Sequence, residues 1–336
     1  MDKAQQQLSQ LINGFWAAQV AAAAAALSLP DHLADGPATP DALAAACGAD
    51  APALLRLLRA MVSLGLCTQE PGGRFALTAV GQHLRADVPG SMRGRALFTG
   101  DMLWKQFGDL TDQVRTGGRT QAVVSGADGF EALKNDPPRL HAFQQAMAES
   151  SRMAARAAFG AYDFARFARV LDLGGGYGGV LGELLAAHPE QTGAVFDLPY
   201  LEDGAVAYLQ QAGVGDRARF VGGSFFETVP SGFDLIVMKF IVHDWGDEEA
   251  RAILAKAREA ADGATTLILL EQVIPDLIEV SVDHQAAIRA DLTMMGMGGK
   301  ERTAGEYNTL LAEAGWRLTR IIPSSGAPNV IEAEPG

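Results

Sequence analysis

The chain has 336 residues, with 48% apolar and 20% charged side chains, enough for two globular domains that build their cores without staples. Its 40 acidic and 27 basic residues leave a net charge of −13, which disfavours nucleic acid and anionic membranes as partners. Cys47 and Cys67 are the only cysteines and lack metal-ligand spacing, so a disulfide framework and a zinc site are not expected, and a reducing cytoplasm suits the chain.

The apolar run from Ala17 to Leu29 is mostly alanine, contains Gln19 and stops at Pro30. It falls short of the roughly 20 residues of a spanning helix, and Met1 to Gln5 lacks the positive cluster of a signal peptide. Small residues suit a closely packed helix, within the chain or at the seam of a homodimer.

Thr39 before Pro40 caps a helix, and Asp50 before Pro52 caps a second. The second carries an apolar stripe at Leu54, Leu57, Leu58, Met61 and Val62, spaced for a helical period, and Gly65 suits its stop. Strands at Leu66–Thr68 and Arg74–Leu77 flank the turn Pro71-Gly72-Gly73, and Thr78 opens another helix. Helix, turn, helix, hairpin is a winged-helix pattern. A DNA reader concentrates Lys and Arg on its recognition helix. Here that helix offers Arg56 and Arg59 and little more, so a dimerisation or lid role fits better.

Residues 96–168 read as helical and rich in Phe and Met: Phe98, Met102, Trp104, Phe107, Phe130, Phe143, Met147, Met153 and Phe159. Most are expected in the core. A few, Phe143 and Met147 among them, suit the wall of a pocket for a flat aromatic guest.

From residue 169 the texture alternates. Strands are expected at Val170–Leu173, Thr192–Phe196, Ala218–Val221, Leu235–Met238 and Thr266–Leu270, with helices at Val180–Ala187, Gly204–Gln211 and Glu248–Ala261. That is a βαβ series, an α/β doubly wound Rossmann-like sheet. The tail adds a helix, Tyr307–Ala314, and an antiparallel pair, Arg317–Ile322 with Asn329–Glu332. Three regions follow: 1–95, winged-helix-like; 96–168, a helical connector lining the pocket for that guest; and 169–336, the Rossmann-like domain.

The first strand of that domain runs into Gly174-Gly175-Gly176-Tyr177-Gly178-Gly179, and a helix follows. Glycines let the backbone turn tightly and approach a ligand, with the helix N-terminus presenting free N–H groups. Gly174, Gly176 and Gly179 also match the dinucleotide pattern G-x-G-x-x-G. About twenty residues on, Asp197 ends the second strand, where an acid accepts from ribose hydroxyls. Nicotinamide and adenosine cofactors share that ribose, so these residues leave both open.

Taken together and in order, Asp172–Gly178, Phe196–Pro199, Gly222-Gly223-Ser224-Phe225-Phe226, Lys239–Trp245 and Gly299-Lys300-Glu301-Arg302-Thr303 resemble one family. It is the O-methyltransferases typified by plant caffeate and flavonoid enzymes and by bacterial methyltransferases of polyketides and phenazines. The resemblance spans nearly the whole chain, including the N-terminal region that serves dimerisation in that family. It implies S-adenosylmethionine rather than NAD, a small aromatic acceptor and a homodimer. By this resemblance Gly174 and Gly176 pass under the methionine part of the cofactor, Asp197 holds the ribose, Phe225 packs on the adenine and Lys239 holds the cofactor end of the pocket. Ser224 departs from the family's usual Asp at the adenine amino group; as an uncharged acceptor it should bind more weakly.

His243 falls on the family's general base, and Glu271 and Glu301 on the acids that flank and orient it. Glu301, between Lys300 and Arg302, also suits a surface ion pair, and Asp244 suits a helix cap. Asp291, Met294 and Met295 belong to a helix that shapes the acceptor site in relatives. Methyl transfer is an in-line displacement needing no metal, only a nucleophile about 3 Å away with a free lone pair. An ordinary phenol, with pKa about 10, stands about 5 kcal/mol from an ordinary His at about 6.5. A nearby sulfonium and a carboxylate beside the His narrow that gap. Of the other histidines only His284, beside Asp283, lies near the expected pocket. The competing readings are an N- or C-methyltransferase, a non-methylating S-adenosylmethionine-binding relative, a NAD-dependent dehydrogenase and a ligand-sensing winged-helix regulator.

Overall fold

The computed structural model describes residues 1–117, 135, 137–324 and 328–336. The chain divides into two compact units, Met1–Thr111 and Asp112–Gly336. Among the described residues no helix is long and apolar enough to cross a membrane.

In the first unit Thr39 accepts from the N–H of Ala42 and caps the helix Pro40–Cys47, and Asp50 accepts from Ala53 to cap Ala51–Ser63. Leu54, Leu58 and Met61 point inward, joined by Leu29, Leu43 and Phe75. Strands β1 (Cys67–Gln69) and β2 (Phe75–Leu77) pair antiparallel, close to the expected hairpin. The alanine-rich helix spans Phe15–Ala26 and buries Ala22, Ala24 and Ala25. Its close approach is made within the unit: a Cβ on Gly100 would sit 2.1 Å from that of Ala22, and Gln19 donates to the Gly100 carbonyl at 3.2 Å. The helix Lys3–Asn13 buries none of its residues.

The second unit is built on a seven-stranded sheet. Its strands are β3 (Arg169–Leu173), β4 (Thr192–Asp197), β5 (Ala218–Gly222), β6 (Leu235–Lys239), β7 (Thr266–Glu271), β10 (Trp316–Ile322) and β11 (Asn329–Pro335). The order is β10-β11-β7-β6-β3-β4-β5. Strands β3 to β7 run parallel, and β11 pairs antiparallel with both β7 and β10. Parallel strands covered on both faces alternate between two cores. On β6, Leu235 and Val237 join one apolar cluster while Ile236 and Met238 join the other. Burying each such side chain stabilises the fold by roughly 1.5–3 kcal/mol. A further parallel pair, β8 (Val273–Ile274) with β9 (Arg302–Thr303), ties the chain after β7 to the segment before the last helix. No alternation foretells so short a pair.

The connector holds the helices Arg93–Phe98, Trp104–Gly108, Leu110–Thr116 and Pro137–Phe159. The expectation that most of its large apolar side chains are core does not hold. Phe98, Trp104, Met147 and Met153 are exposed, and Phe130 lies outside the described residues. Among the described residues the buried face of Pro137–Phe159 is mostly small, with Ala148, Ser151, Ala154, Ala155 and Ala158 buried beside the larger Gln144. The helix approaches the sheet domain too closely for larger ones: a Cβ on Gly179 would sit 2.3 Å from the Ala148 carbonyl.

The chain order places β3 between β4 and β6, so successive connections leave to opposite sides. The crevice beyond the C-terminal ends of β3 and β6 is where ligands bind in such sheets. The glycine turn, Asp197, the 240–245 loop and Glu271 all lie at those ends.

Candidate active site

The glycine turn is pure backbone by necessity. Gly174, Gly176 and Gly178 have φ of +74°, +57° and +84°, a region that side chains rarely adopt. A Cβ on Gly174 would lie 2.6 Å from Ile241, and one on Gly176 would lie 2.6 Å from Gln144. The turn is pinned by Gly174 N–H donating to the Phe196 carbonyl (2.8 Å) and Gly176 N–H donating to Asp197 Oδ2 (2.7 Å). Asp172, fully buried, accepts from Leu181 N–H at 3.1 Å and closes the turn from below. Burial lifts its pKa to about 7.

Asp197 Oδ1 accepts from Leu198 N–H at 2.7 Å. Each carboxylate oxygen thus holds one backbone donor and keeps capacity for another, and burial raises its pKa. Phe225 packs against the turn, 3.6 Å from where a Gly174 Cβ would stand, and meets Trp245 edge-on with centroids 6.1 Å apart. The Ser224 hydroxyl accepts from Phe226 N–H at 3.3 Å. Lys239, at the end of β6, reaches Ser150 at 3.5 Å and lies 4.5 Å from the Phe240 ring centroid. Burial lowers its pKa to about 8, against the pull of Glu271, Asp244 and Asp172.

At Phe240 the backbone turns to φ +54°, a strained value for an aromatic residue. Its ring stacks on the His243 imidazole, 5.0 Å between centroids at 11°. His243 Nδ1 hydrogen-bonds to Glu301 Oε1 at 2.9 Å; Asp244 Oδ1 lies 3.4 Å from Nε2 and Glu271 Oε2 lies 3.8 Å from Nδ1. Burial alone would lower the His243 pKa. Glu271, Asp244 and the bonded Glu301 outweigh it and raise the pKa to about 9.

The two glutamates differ. Glu271, 0% exposed, spends Oε1 on the N–H groups of Ile241 (3.0 Å) and Val242 (2.8 Å), so it holds the loop's backbone. Its pKa is pushed by burial to about 7. Glu301, 3% exposed, is the carboxylate that bonds the imidazole, and its own N–H donates to Asp291 Oδ1 at 3.0 Å. It is no surface ion pair. Oε2 of both glutamates is buried without a hydrogen-bond partner among the described residues, a surplus of negative charge that favours the imidazolium.

His243, Glu271 and Glu301 offer ligand atoms within 4.8 Å of one another, the spacing of a cation site. Their shared hydrogen bonding nonetheless describes an acid–base cluster, with Nδ1 committed to Glu301 and Glu271 Oε1 to the backbone. Asp244 is not a helix cap. Gly246 occupies the N-cap of Asp247–Ala260 without a side-chain bond, and Asp244 turns to the imidazole instead.

Asp291, Met294 and Met295 lie on the helix Val282–Met297, all partly buried, and Asp291 enters the cluster through Glu301. Phe143 is partly buried and Met147 exposed on Pro137–Phe159, the helix whose Gln144 lies over Gly176. His284 accepts from Glu279 N–H at 2.8 Å and serves its own loop. Gln144 and Ser150 carried no motif, and Arg302 lay in a motif without a role of its own; only their tertiary placement shows them.

The cluster pairs an elevated-pKa imidazole with a glycine-and-aspartate nucleoside cradle, at the mouth of a Rossmann-like sheet, which is the arrangement of a group transferase. An O-methyltransferase domain model matches residues 107–317, and an O-methyltransferase dimerisation domain model matches residues 9–87. This chain belongs to the O-methyltransferase family. It is 36% identical over 329 residues to the phenazine O-methyltransferase PhzM of Lysobacter antibioticus, covering 98% of this chain and 95% of that protein. It is also 36% identical to the O-demethylpuromycin-O-methyltransferase of Streptomyces alboniger, over 99% of this chain and 89% of that one. The crystal structure of the O-methyltransferase NcsB1 from neocarzinostatin biosynthesis, in complex with S-adenosyl-L-homocysteine and 1,4-dihydroxy-2-naphthoic acid, superposes with a TM-score of 0.83. It is 31% identical and covers 95% of this chain and 96% of its own.

Proposed function

We propose that His243 is the general base of an S-adenosylmethionine-dependent O-methyltransferase acting on a hydroxyl of a small aromatic secondary metabolite. The observation that carries this reading is the His243–Glu301 bond at 2.9 Å. With Nδ1–H donating to Glu301, Nε2 is left to accept a proton.

The nucleoside cradle fits the cofactor. Gly174 and Gly176 let the backbone turn tightly beneath its methionine part. Asp197 offers acceptor capacity to the ribose hydroxyls, Ser224 and Phe225 stand for the adenine, and Lys239 closes the cofactor end. S-adenosylmethionine supplies an electrophilic methyl on a sulfonium, which departs as a neutral thioether. The chain's own work is to seat the acceptor hydroxyl and take its proton on Nε2 of His243, while Glu301 and Asp244 stabilise the imidazolium. With a pKa of about 9, His243 is a far closer match to a phenol at about 10 than an ordinary His. A cation bound in the same crevice favours the neutral, accepting imidazole. Glu271 holds the loop that carries the base.

The acceptor wall is assigned to Phe143, Met147, Asp291, Met294 and Met295, from helices at the two flanks of the cluster. Residues 1–95 serve dimerisation, consistent with the dimerisation model at 9–87, and the protein acts as a homodimer. Both cysteines are free thiols, as suits a reducing cytoplasm. The test is His243→Ala: calorimetry should give unchanged S-adenosylmethionine binding while turnover on a hydroxylated phenazine or naphthoate falls about 100-fold or more. Wild-type turnover in that variant would overturn the assignment.

A further inference from the structure

Arg302 is 0% exposed, yet it carries a full charge. Its Nη1 donates to the Val242 carbonyl and its Nη2 to the Trp245 carbonyl, both at 3.0 Å. Nε (3.0 Å) and Nη2 (2.8 Å) also converge on Asp247 Oδ1. Between these, the Lys300 N–H donates to the His243 carbonyl at 2.9 Å. The carbonyls of residues 242, 243 and 245 are therefore all held by the segment 300–302. That same segment carries Glu301, the partner of the His243 side chain.

We propose that Arg302 is a positioning residue for methyl transfer, its guanidinium fork setting the 242–245 loop so that the His243 imidazole and the Glu301 carboxylate meet. The inference rests on the general-base reading of His243. Its physical basis is the fork itself. Two backbone carbonyls on either side of His243 and Asp244 need a planar group with donors in fixed directions, which Arg provides and Lys does not. A charge buried solely for stability is poorly repaid. Here, Asp247 balances that charge from the solvent side while the donors face the loop.

The test is Arg302→Lys, which keeps the charge and loses the fork. In the cofactor-free protein, NMR titration should show the His243 pKa falling from about 9 toward its ordinary value, because the imidazole loses register with Glu301 while Glu271 and Asp244 remain. Turnover should fall about 10- to 100-fold, the scale of a small misplacement of a reacting group, with S-adenosylmethionine affinity unchanged by calorimetry. A role in stability alone would lower Tm and leave both the His243 pKa and the turnover of folded enzyme as in the wild type; that result overturns the proposal. Should Arg302→Lys fail to fold, Asp247→Asn loosens the same fork from its half-exposed end. It should move the His243 pKa and turnover in the same direction, less strongly, and no movement overturns the proposal. Full turnover in His243→Ala would instead sink the general-base reading, and the two failures are separable because the pKa readout does not depend on catalysis.

Discussion

His243 Nδ1 and Glu301 Oε1 stand 2.9 Å apart although 58 residues separate them in the chain. One comes from the loop after β6, the other from the turn before β9; Glu301 is buried and His243 partly so. The bond fixes which imidazole nitrogen is free and how basic it is.

Glu301→Gln keeps an acceptor for the Nδ1 proton but removes its charge. The His243 pKa should drop, so the acid limb of kcat/KM moves to lower pH, while plateau turnover falls about 10-fold or more. A pH–rate profile checks this, and an unshifted limb with full turnover would count against the pairing.

Activity and stability should oppose one another with pH. The neutral base is populated as pH rises through about 9, so kcat/KM, which reports the free enzyme, should climb to a plateau above that value. The folded pKa exceeds the ordinary 6.5, so this group's stabilisation is full below 6.5 and lost as pH rises through 9. Glu271, lifted from 4.5 to about 7, acts with the same sign over that lower window. The Tm of the cofactor-free protein should fall from pH 6.5 to 9, and less so in His243→Gln.

Gly299→Ala should damage the base loop without touching the cofactor cradle. The new Cβ would lie 2.0 Å from the His243 carbonyl and 2.7 and 2.9 Å from Asp244 backbone atoms, none of which is a movable side-chain end. A cost of about 1–3 kcal/mol in stability is expected, with turnover lost beyond it. Denaturant melts and turnover per folded site, measured together, decide the point.

Ser224→Asp should tighten S-adenosylmethionine binding. A charged acceptor makes a hydrogen bond roughly twice as strong as a neutral one, so Kd by calorimetry should fall about threefold to tenfold. Equal affinities would show that the hydroxyl already meets the adenine as well as a carboxylate.

The sheet strands were legible because each is a short apolar run bounded by turns, and the glycine turn because its conformations exclude side chains. The His243 imidazole was legible as a candidate base only through its company in the sequence. Charge was misleading where burial depends on distant partners. Glu301, between Lys300 and Arg302, also suits a surface ion pair, yet Glu301 and Arg302 are buried because Asp291, Asp247 and the carbonyls of Val242 and Trp245 come to them from elsewhere. Asp244 suits a cap because a helix follows, but the helix starts later, at Asp247, with Gly246 as its N-cap. The alanine face of Pro137–Phe159 was hidden by the larger side chains beside it, which point outward.

Strand β11 lies inside the sheet, with Asn329 opposite Glu271 and Ala333 opposite Leu267. During synthesis, β7 therefore waits with one edge open until residues 329–335 have left the ribosome. The strand whose last residue anchors the His243 loop is the one left with an open edge. A chain cut short before residue 329 would retain every residue named in the catalytic cluster, yet carry an adhesive strand edge and an unsupported Glu271. Support for Glu271 is thus the last part of the cluster to be put in place, although Glu271 itself is made well before residue 329.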